Sequence, residues 1–322
     1  MSLGEFDLIR HFFDRPELRS SRPDVLGIGD DCALLSVPQG MQLAQSLDTL
    51  VSGVHFPERC DPFLLGYRAL ATNISDIAAM GAEPHSFTLG LTLPESDTDW
   101  LQAFSDGLVA LAQPSGLALI GGDTTRGPLT ISIQVQGLVP SGQALRRNGA
   151  GTGDLIYVSG SLGDAAGALP AVLEGLYPQS CDEESVQYLL QRYYQPSPRV
   201  KLGQWLAANG ATSALDISDG LLGDLGHTLK ASQVGAELNL EQLPLSPQLL
   251  NVAGKQKAQS YALSGGDDYE LCFTWPAHKT LELPEVIRAE CSVTCIGYIT
   301  DAEGICDKAT GQPLSSAAYR HF

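Results

Sequence analysis

Basic residues are scarce in this chain of 322 residues, which has 19 Lys and Arg against 37 Asp and Glu and a formal net charge of −18. Proteins that bind nucleic acids neutralise phosphates with clustered Lys and Arg, so this balance argues against a nucleic-acid partner. No apolar run approaches the roughly 18 residues that a membrane-spanning helix needs. Glu5, Asp7 and Arg10 stand where a secretory signal would be apolar. We therefore expect a cytoplasmic protein with no membrane partner.

The sequence also lacks the motifs of several common enzyme classes. It has no Gly-x-x-x-x-Gly-Lys-Ser/Thr loop, no Gly-x-Gly-x-x-Gly after a strand, no Gly-x-Ser-x-Gly and no His-Glu-x-x-His. These absences argue against P-loop kinases, Rossmann dehydrogenases, α/β-hydrolases and zinc proteases. The seven cysteines form no Cys-x-x-Cys pair, which argues against a zinc ribbon or a disulfide framework. We expect these cysteines to be buried as small hydrophobic residues.

Hydrophobic periodicity predicts an α/β fold in which strands and helices alternate. In the first half we predict strands at 41–47, 87–93, 117–120 and 129–139, and helices at 62–80 and 98–112. In the second half we predict strands at 155–159, 236–240, 269–274 and 293–299, and helices from 164 and around 183–194, 198–209 and 218–231. The polar, Gly-rich stretch from Arg146 to Asp154 separates the halves. We therefore place one domain at residues 1–145 and a C-terminal α/β domain at residues 146–322.

The most informative pattern is Asp beside Gly or Ser, repeated where apolar stretches end. It occurs at Ile28–Asp31, Ser46–Asp48, Ser75–Asp76, Gly121–Asp123, Asp216–Asp219 and Gly265–Asp268. Strand ends in α/β folds converge on one crevice, and carboxylates gathered there repel one another unless a hard cation binds among them. Mg²⁺ prefers oxygen ligands and bridges carboxylates to substrate phosphates. The adjacent glycines would let a phosphate approach main-chain N–H groups.

Each of these motifs taken alone is more often a turn than a ligand, so the prediction depends on all six together. Other interpretations stay open at single positions. Ser218 could cap a helix, with Asp219 placed on the helix dipole, and Asp224 could belong to a solvated helix face. Arg147 could be a surface charge, and His55 could be a buried or partly buried histidine between two apolar neighbours.

Twelve short segments, distributed in order along the whole chain, resemble the thiamine-monophosphate kinase family. That family belongs to a superfamily with aminoimidazole ribonucleotide synthetase and selenophosphate synthetase. The matching segments are Gly4–Phe6, Ile28–Ala33, Asp48–Leu50, His55–Phe56, Asn73–Asp76, Met80–Ala82, Gly121–Thr125, Arg147–Ala150, Pro196–Arg199, Asp216–Leu221, Gly265–Leu271 and Tyr319–Phe322.

The resemblance implies ATP-dependent phosphorylation of thiamine monophosphate to thiamine diphosphate, with several Mg²⁺ ions. It implies an N-terminal domain that binds ATP and Mg²⁺, has a four-stranded sheet with helices on one face, and forms a homodimer. It also implies roles for individual residues. The implied metal ligands are Asp31, Ser46, Asp48, Asp76, Asp123, Asp216 and Asp219, of which Asp48, Asp123, Asp216 and Asp219 are also the implied catalytic residues. The implied ATP contacts are Gly122, Asp123, Arg147 and Ser218, and the implied acceptor contacts are His55, Asp267 and Tyr319.

Two positions depart from the family pattern. Leu47 replaces a usual Thr, so a metal contact there could come only from the main-chain carbonyl group. Asp267 replaces a usual Glu and is one methylene shorter.

Three alternative functions remain open from the sequence. The first is another ATP-dependent synthetase of the superfamily. Selenophosphate synthetase is disfavoured, because it needs a reactive Cys near the N-terminus and the first Cys here is Cys32. A carboxylate-metal phosphohydrolase would transfer phosphate to water, and a divalent-metal buffer would bind cations without turnover.

Overall fold

The computed structural model describes residues 4–22 and 25–315, and the chain divides into two compact units. The first unit comprises the chain up to Ile77 together with Ala82–Gly142. The second unit comprises Ala78–Gly81 together with the chain from Gln143 onwards. The boundary predicted between residues 145 and 146 lies in the irregular segment that follows the last strand of the first unit.

A four-stranded sheet forms the centre of the first unit. Its elements, in chain order after helix α1 (Glu5–Leu8) and the short strands β1 (Val25–Leu26) and β2 (Leu34–Leu35), are β3 (Met41–Val51), α2 (Pro62–Ala79), β4 (Glu83–Leu93), α3 (Thr98–Ala112), β5 (Ala118–Arg126) and β6 (Thr130–Pro140). The strand order is β3-β6-β4-β5. Strands β4 and β5 run parallel, and the other pairs are antiparallel.

Helix α2 covers one face of this sheet. Alternate residues of β6, including Ile131, Ile133 and Val135, point to that face and are fully buried. Gly137 lies on the same face, and a Cβ atom there would come within 2.8 Å of the Ile77 side chain in α2. Helix α3 packs closely against α2 at Gly107. A Cβ atom there would come within 2.0 Å of a backbone oxygen of α2, so the contact requires glycine.

The second unit contains a six-stranded sheet in the order β12-β9-β11-β7-β10-β8. Its elements are β7 (Leu155–Ser159), α4 (Asp164–Leu173), α5 (Glu184–Tyr194), α6 (Val200–Asn209), β8 (Ser213–Ile217), α7 (Leu221–Ser232), β9 (Gly235–Leu238), α8 (Pro247–Ser264), β10 (Glu270–Trp275), α9 (Glu285–Glu290), β11 (Val293–Thr300) and β12 (Gly304–Asp307). Only the β12–β9 pair is parallel. The predicted α/β class, with a four-stranded sheet in the first half, is confirmed.

Two expectations about the chain differ from the structure. The cysteines are not generally buried, since only Cys272 and Cys291 are, while Cys32 is exposed and the other four are intermediate. Gly121–Asp123 is not a turn after a strand, because β5 continues through it to Arg126 while pairing with β4. Over residues 4–22 and 25–315, the structure contains no helix with the length and apolar character to cross a membrane.

Candidate active site

Ser46, Asp48 and Asp76 form a compact group in the first unit. Asp76 lies on α2, and its Oδ2 atom accepts a hydrogen bond of 2.5 Å from Ser46 Oγ of β3. The main-chain N–H of Asp48 donates to Oδ1 of Asn73, one helical turn before Asp76, at 3.2 Å. Burial, followed by the charge of Asp76, raises the pKa of Asp48 to about 6. The group therefore concentrates negative charge in a partly desolvated position.

A cavity of about 990 Å³ lies in the same unit. Its wall includes Asp31 and Cys32 from the loop between β1 and β2, and Gly122 and Asp123 from β5. A Cβ atom at Gly122 would come within 2.0 Å of the Leu89 carbonyl oxygen, so only glycine lets β5 approach β4 this closely. This volume lies in the range of pockets that hold small molecules such as cofactors.

The sheet register separates Asp48 from Asp123. Asp48 pairs through β6 and β4 with Gly122, whereas Asp123 belongs to the next row, opposite Gly90 of β4. Neighbouring rows of a regular sheet point to opposite faces. Both residues lie inside strands, although the sequence predicted them at strand ends.

His55 lies in the turn that follows β3. Its Nδ1 atom accepts a 3.0 Å hydrogen bond from the main-chain N–H of Val51. In the neutral imidazole the proton is therefore on Nε2, because a ring nitrogen that accepts a hydrogen bond carries no proton. The ring is half-buried, which agrees with the expectation of a buried or partly buried histidine.

In the second unit, Asp216 is the last residue but one of β8 and is buried, and a tight turn over Ser218–Gly220 leads into α7. Asp224, in the first turns of α7, is only 4 % exposed. Its Oδ2 atom accepts hydrogen bonds from the N–H groups of Ser218, at 3.1 Å, and Asp219, at 3.0 Å. Asp224 is therefore not on a solvated helix face, because its side chain folds back over the helix N-terminus.

The segment before β10 lies against this turn. The N–H of Asp267 donates to the Ser218 carbonyl oxygen, and the N–H of Tyr269 donates to the Ile217 carbonyl oxygen, both at 2.8 Å. Asp267 and Tyr269 have φ angles of +71° and +49°, which non-glycine residues rarely adopt. The Tyr269 hydroxyl group donates to Asp267 Oδ1 at 3.0 Å. The Asp267 segment is thus fixed by main-chain and side-chain bonds.

A buried ion cluster follows directly at Glu270, which is 0 % exposed. Arg199 donates to both of its carboxylate oxygens, at 2.6 Å from Nε and 2.5 Å from Nη2. Arg192 donates at 2.8 Å and Ser159 at 2.5 Å. Burial alone would raise the pKa of Glu270, but the charges and hydrogen bonds of Arg199, Arg192 and Ser159 outweigh it and lower that pKa.

Comparison with known proteins places this arrangement in a family. Family models described as AIR synthase related protein match over residues 29–139 for the N-terminal domain and 151–306 for the C-terminal domain. The thiamine-monophosphate kinase of Escherichia coli (strain K12) is 50% identical over 328 residues, which cover 100% of this chain and 99% of that protein. The chain belongs to the thiamine-monophosphate kinase family.

Other members of the thiamine-monophosphate kinase family agree in sequence and structure. The Bacillus subtilis (strain 168) kinase is 35% identical over 333 residues, covering 99% of this chain and 100% of that protein. The crystal structure of the Stenotrophomonas maltophilia K279a kinase has a TM-score of 0.87 at 46% identity and covers 97% of this chain and 99% of its own. A structure described as AaThiL complexed with AMPPCP and TMP has a TM-score of 0.79 at 27% identity, covering 98% of this chain and 96% of its own.

The residues implied by the family resemblance fall into separate groups in the structure. In the first unit, Ser46, Asp48 and Asp76 lie together, and Asp31, Gly122 and Asp123 line the cavity. In the second unit, main-chain bonds join the Ser218 turn to the Asp267 segment. Arg147 is exposed in the loop after the first unit. Tyr319 lies outside the described residues.

The side-chain oxygen atoms of Ser46, Asp48 and Asp76 are of the kind that Mg²⁺ prefers. Within residues 4–22 and 25–315, no three His, Cys, Asp or Glu side chains form a group that could hold a metal ion. Mg²⁺ usually takes only one or two protein carboxylates and completes its shell with water and substrate phosphates. Asp48 and Asp76, with the Ser46 hydroxyl group, meet that smaller requirement, and their mutual repulsion favours a bound cation.

Sequence reasoning missed three groups of residues around these positions. They are Asn73 beneath Asp48, Asp224 beneath the Ser218 turn, and the cluster of Arg192, Arg199 and Glu270. Arg199 and Glu270 both fall in segments that match the family, so this match could have identified each of them as a candidate. Their contact joins residues 71 positions apart and could not be inferred from one sequence.

Proposed function

We propose that this chain transfers the γ-phosphoryl group of ATP to thiamine monophosphate, producing thiamine diphosphate and ADP. The observation that carries the proposal is the 50% identity to a thiamine-monophosphate kinase over the whole chain. The solved relative complexed with AMPPCP and TMP supports the same pair of substrates.

The proposed nucleotide contacts are Gly122 and Asp123, which line the 990 Å³ cavity of the first unit, together with Arg147 and Ser218. The exposed guanidinium group of Arg147 supplies positive charge for a phosphate in a strongly acidic protein. Asp31, Ser46, Asp48, Asp76, Asp123, Asp216 and Asp219 are the proposed Mg²⁺ ligands. When bound, Mg²⁺ would neutralise charge on the phosphate oxygens.

His55, Asp267 and Tyr319 are the proposed contacts of the acceptor. The acceptor is a phosphate monoester with a second pKa of ~6, so at neutral pH it already carries the oxyanion that attacks. No side chain has to remove a proton. The protein therefore contributes by holding two anions in line and offsetting their repulsion, which are the main catalytic effects in phosphoryl transfer.

Release of ADP in the presence of ATP and Mg²⁺ tests the proposal. We expect release to require thiamine monophosphate and to match the thiamine diphosphate formed. Thiamine should not replace its monophosphate, because its neutral hydroxyl group must lose a proton before it can attack. Release without an acceptor would instead indicate a phosphohydrolase, and metal binding without any release would indicate a buffer.

We also propose that the chain forms a homodimer through the uncovered face of the first unit's sheet. On that face Leu47 is 60% exposed and Leu43 is 39% exposed, while Thr130, Ser132 and Gln134 are half-buried. Exposed leucines beside uncharged polar side chains on an uncovered part of the sheet suit burial against a second copy.

Light scattering should then give twice the chain mass of 34.2 kDa. Leu43→Asp should shift the protein towards the monomer, because it introduces a charge into the proposed interface. Leu173→Asp, at a 72% exposed position of the second unit, is the matched control and should leave the mass unchanged. A monomeric wild-type protein would contradict the proposal.

A further inference from the structure

The main chain of the Ser218–Gly220 turn is fixed on both sides. On one side, the two N–H groups of Ser218 and Asp219 donate to the same carboxylate oxygen of Asp224. On the other side, the Ser218 carbonyl oxygen accepts the N–H of Asp267. The turn therefore has little freedom to move without breaking a buried hydrogen bond.

Glycines at the same place allow this close packing. Gly220 has a φ of +110°, and a Cβ atom there would come within 2.8 Å of the Ser264 backbone. A Cβ atom at Gly266 would come within 2.5 Å of the Ser218 carbonyl oxygen. The turn and the segment before β10 thus contact each other backbone to backbone. Helix α7 follows the turn directly, because the N–H of Asp224 donates to the carbonyl oxygen of Gly220.

Asp224 occupies the place that a phosphate would take at a helix N-terminus. Main-chain N–H groups there point outward and favour an anion. Here the anion is the protein's own carboxylate, which is 4 % exposed and hydrogen-bonded to both N–H groups. The N–H groups of Ser218 and Asp219 are therefore already used, contrary to the expectation that such groups would bind phosphate at this motif.

We propose that Asp224 is a positioning residue that holds the turn so that the side chains of Ser218 and Asp219, rather than their N–H groups, meet the nucleotide. The proposal rests on the proposed function, since Ser218 is assigned there to ATP and Asp219 to Mg²⁺. It is consistent with their exposure, because Asp219 is exposed and Ser218 is half-buried, whereas Asp224 is buried. Asp219 and Asp224, five positions apart, thus have different roles.

The test compares Asp224→Asn with wild type and with Leu229→Ala. Asn keeps an acceptor oxygen but loses the charge, and its amide group adds a buried donor where none is needed. Leu229 is on the same helix and 4 % exposed, so Leu229→Ala loosens helix packing without touching the turn. Binding of AMPPCP with Mg²⁺ is measured by calorimetry, and KM for each substrate is measured by ADP release.

We expect Asp224→Asn to weaken AMPPCP binding and to raise KM for ATP by about tenfold, with a smaller change in KM for thiamine monophosphate. Leu229→Ala should lower the thermal midpoint while keeping the wild-type affinity. Wild-type affinity in Asp224→Asn, or equal losses in the two variants, would overturn the proposal.

If Asp224→Asn does not fold, Asp224→Glu provides the same comparison, because it keeps the charge but moves it by one methylene. Weaker AMPPCP binding in Asp224→Glu would support the positioning role, and unchanged binding would overturn it. Failure of the proposed function is seen separately, as a wild-type protein that does not phosphorylate thiamine monophosphate.

Discussion

Asp48→Asn should lower kcat with thiamine monophosphate by about 10²–10³-fold while making the metal-free protein more stable to heat. The loss of rate follows from the proposed role of Asp48 as a metal ligand, because stabilisation of charge is usually the largest catalytic effect in phosphoryl transfer. The gain in stability follows from the geometry. Burial and the neighbouring Asp76 charge disfavour the ionised form of Asp48, and the neutral amide removes that repulsion.

The fold around Asp48 should survive this replacement. The hydrogen bond to Asn73 comes from the Asp48 main chain and does not depend on its side chain. Thermal unfolding is measured in a chelator at pH 8 and kcat in excess Mg²⁺. Asp99→Asn, at an exposed position of the first turn of α3, is the matched control: it should leave kcat unchanged and, because it removes a charge that favours a helix N-terminus, should not raise the stability.

Opposite directions for activity and stability distinguish a ligand from a structural residue. Replacing a carboxylate with a purely structural role would lower activity and stability together. Full activity in Asp48→Asn would contradict its assignment as a metal ligand, whatever its stability.

The fold was predictable because its sequence patterns are local. Residues 62–80 have helical spacing with Pro at the start and Gly after the end, and α2 spans Pro62–Ala79. Helix α8 was not predicted. Gly254 interrupts it with a φ of +70°, and its buried residues Leu249, Ala258 and Ala262 do not make a continuous apolar stripe. Its position depends on packing against α4 and α5.

The candidate site was predictable at the level of motifs but not of geometry. The repeated Asp beside Gly or Ser identified Asp48, Asp123 and Asp219 as candidates. The sequence could not show that Asp48 and Asp123 fall in neighbouring rows of one sheet, because strand register depends on pairing with β4 and β6. Nor could it show that Asp224 is buried, since an Asp near a helix start is commonly exposed.

Replacing Glu270 should produce the largest loss of stability that we expect in the second unit. Glu270 is fully buried and is the shared acceptor of Arg192 and Arg199, whose side chains are only 12% and 11% exposed. Glu270→Gln keeps the shape of the side chain but removes its charge. The two nearly buried guanidinium groups of Arg192 and Arg199 then lack the negative charge that they share. Breaking a buried ion pair in this way costs about 3–5 kcal/mol of unfolding free energy.

The dependence on pH separates loss of charge from loss of packing. The pKa of Glu270 is lowered in the folded protein, so its ionisation stabilises the fold above the unfolded pKa of about 4.3. That contribution disappears as the pH falls through the lower folded pKa, where Glu270 becomes as neutral as Gln. The stability difference between wild type and Glu270→Gln should therefore be constant above about pH 5 and shrink below about pH 4.

Urea unfolding in a Trp100→Phe background can measure this difference, because the two remaining tryptophans, Trp205 and Trp275, stack in the second unit at 5.6 Å. Glu290→Gln is the matched control. Glu290 also pairs with a basic residue, Lys201, but both side chains are well exposed, so its loss should change stability little at any pH. A Glu270→Gln deficit that persists unchanged at pH 3 would show that packing is the cause. A deficit no larger than that of Glu290→Gln would show that the charge of Glu270 does not stabilise the unit.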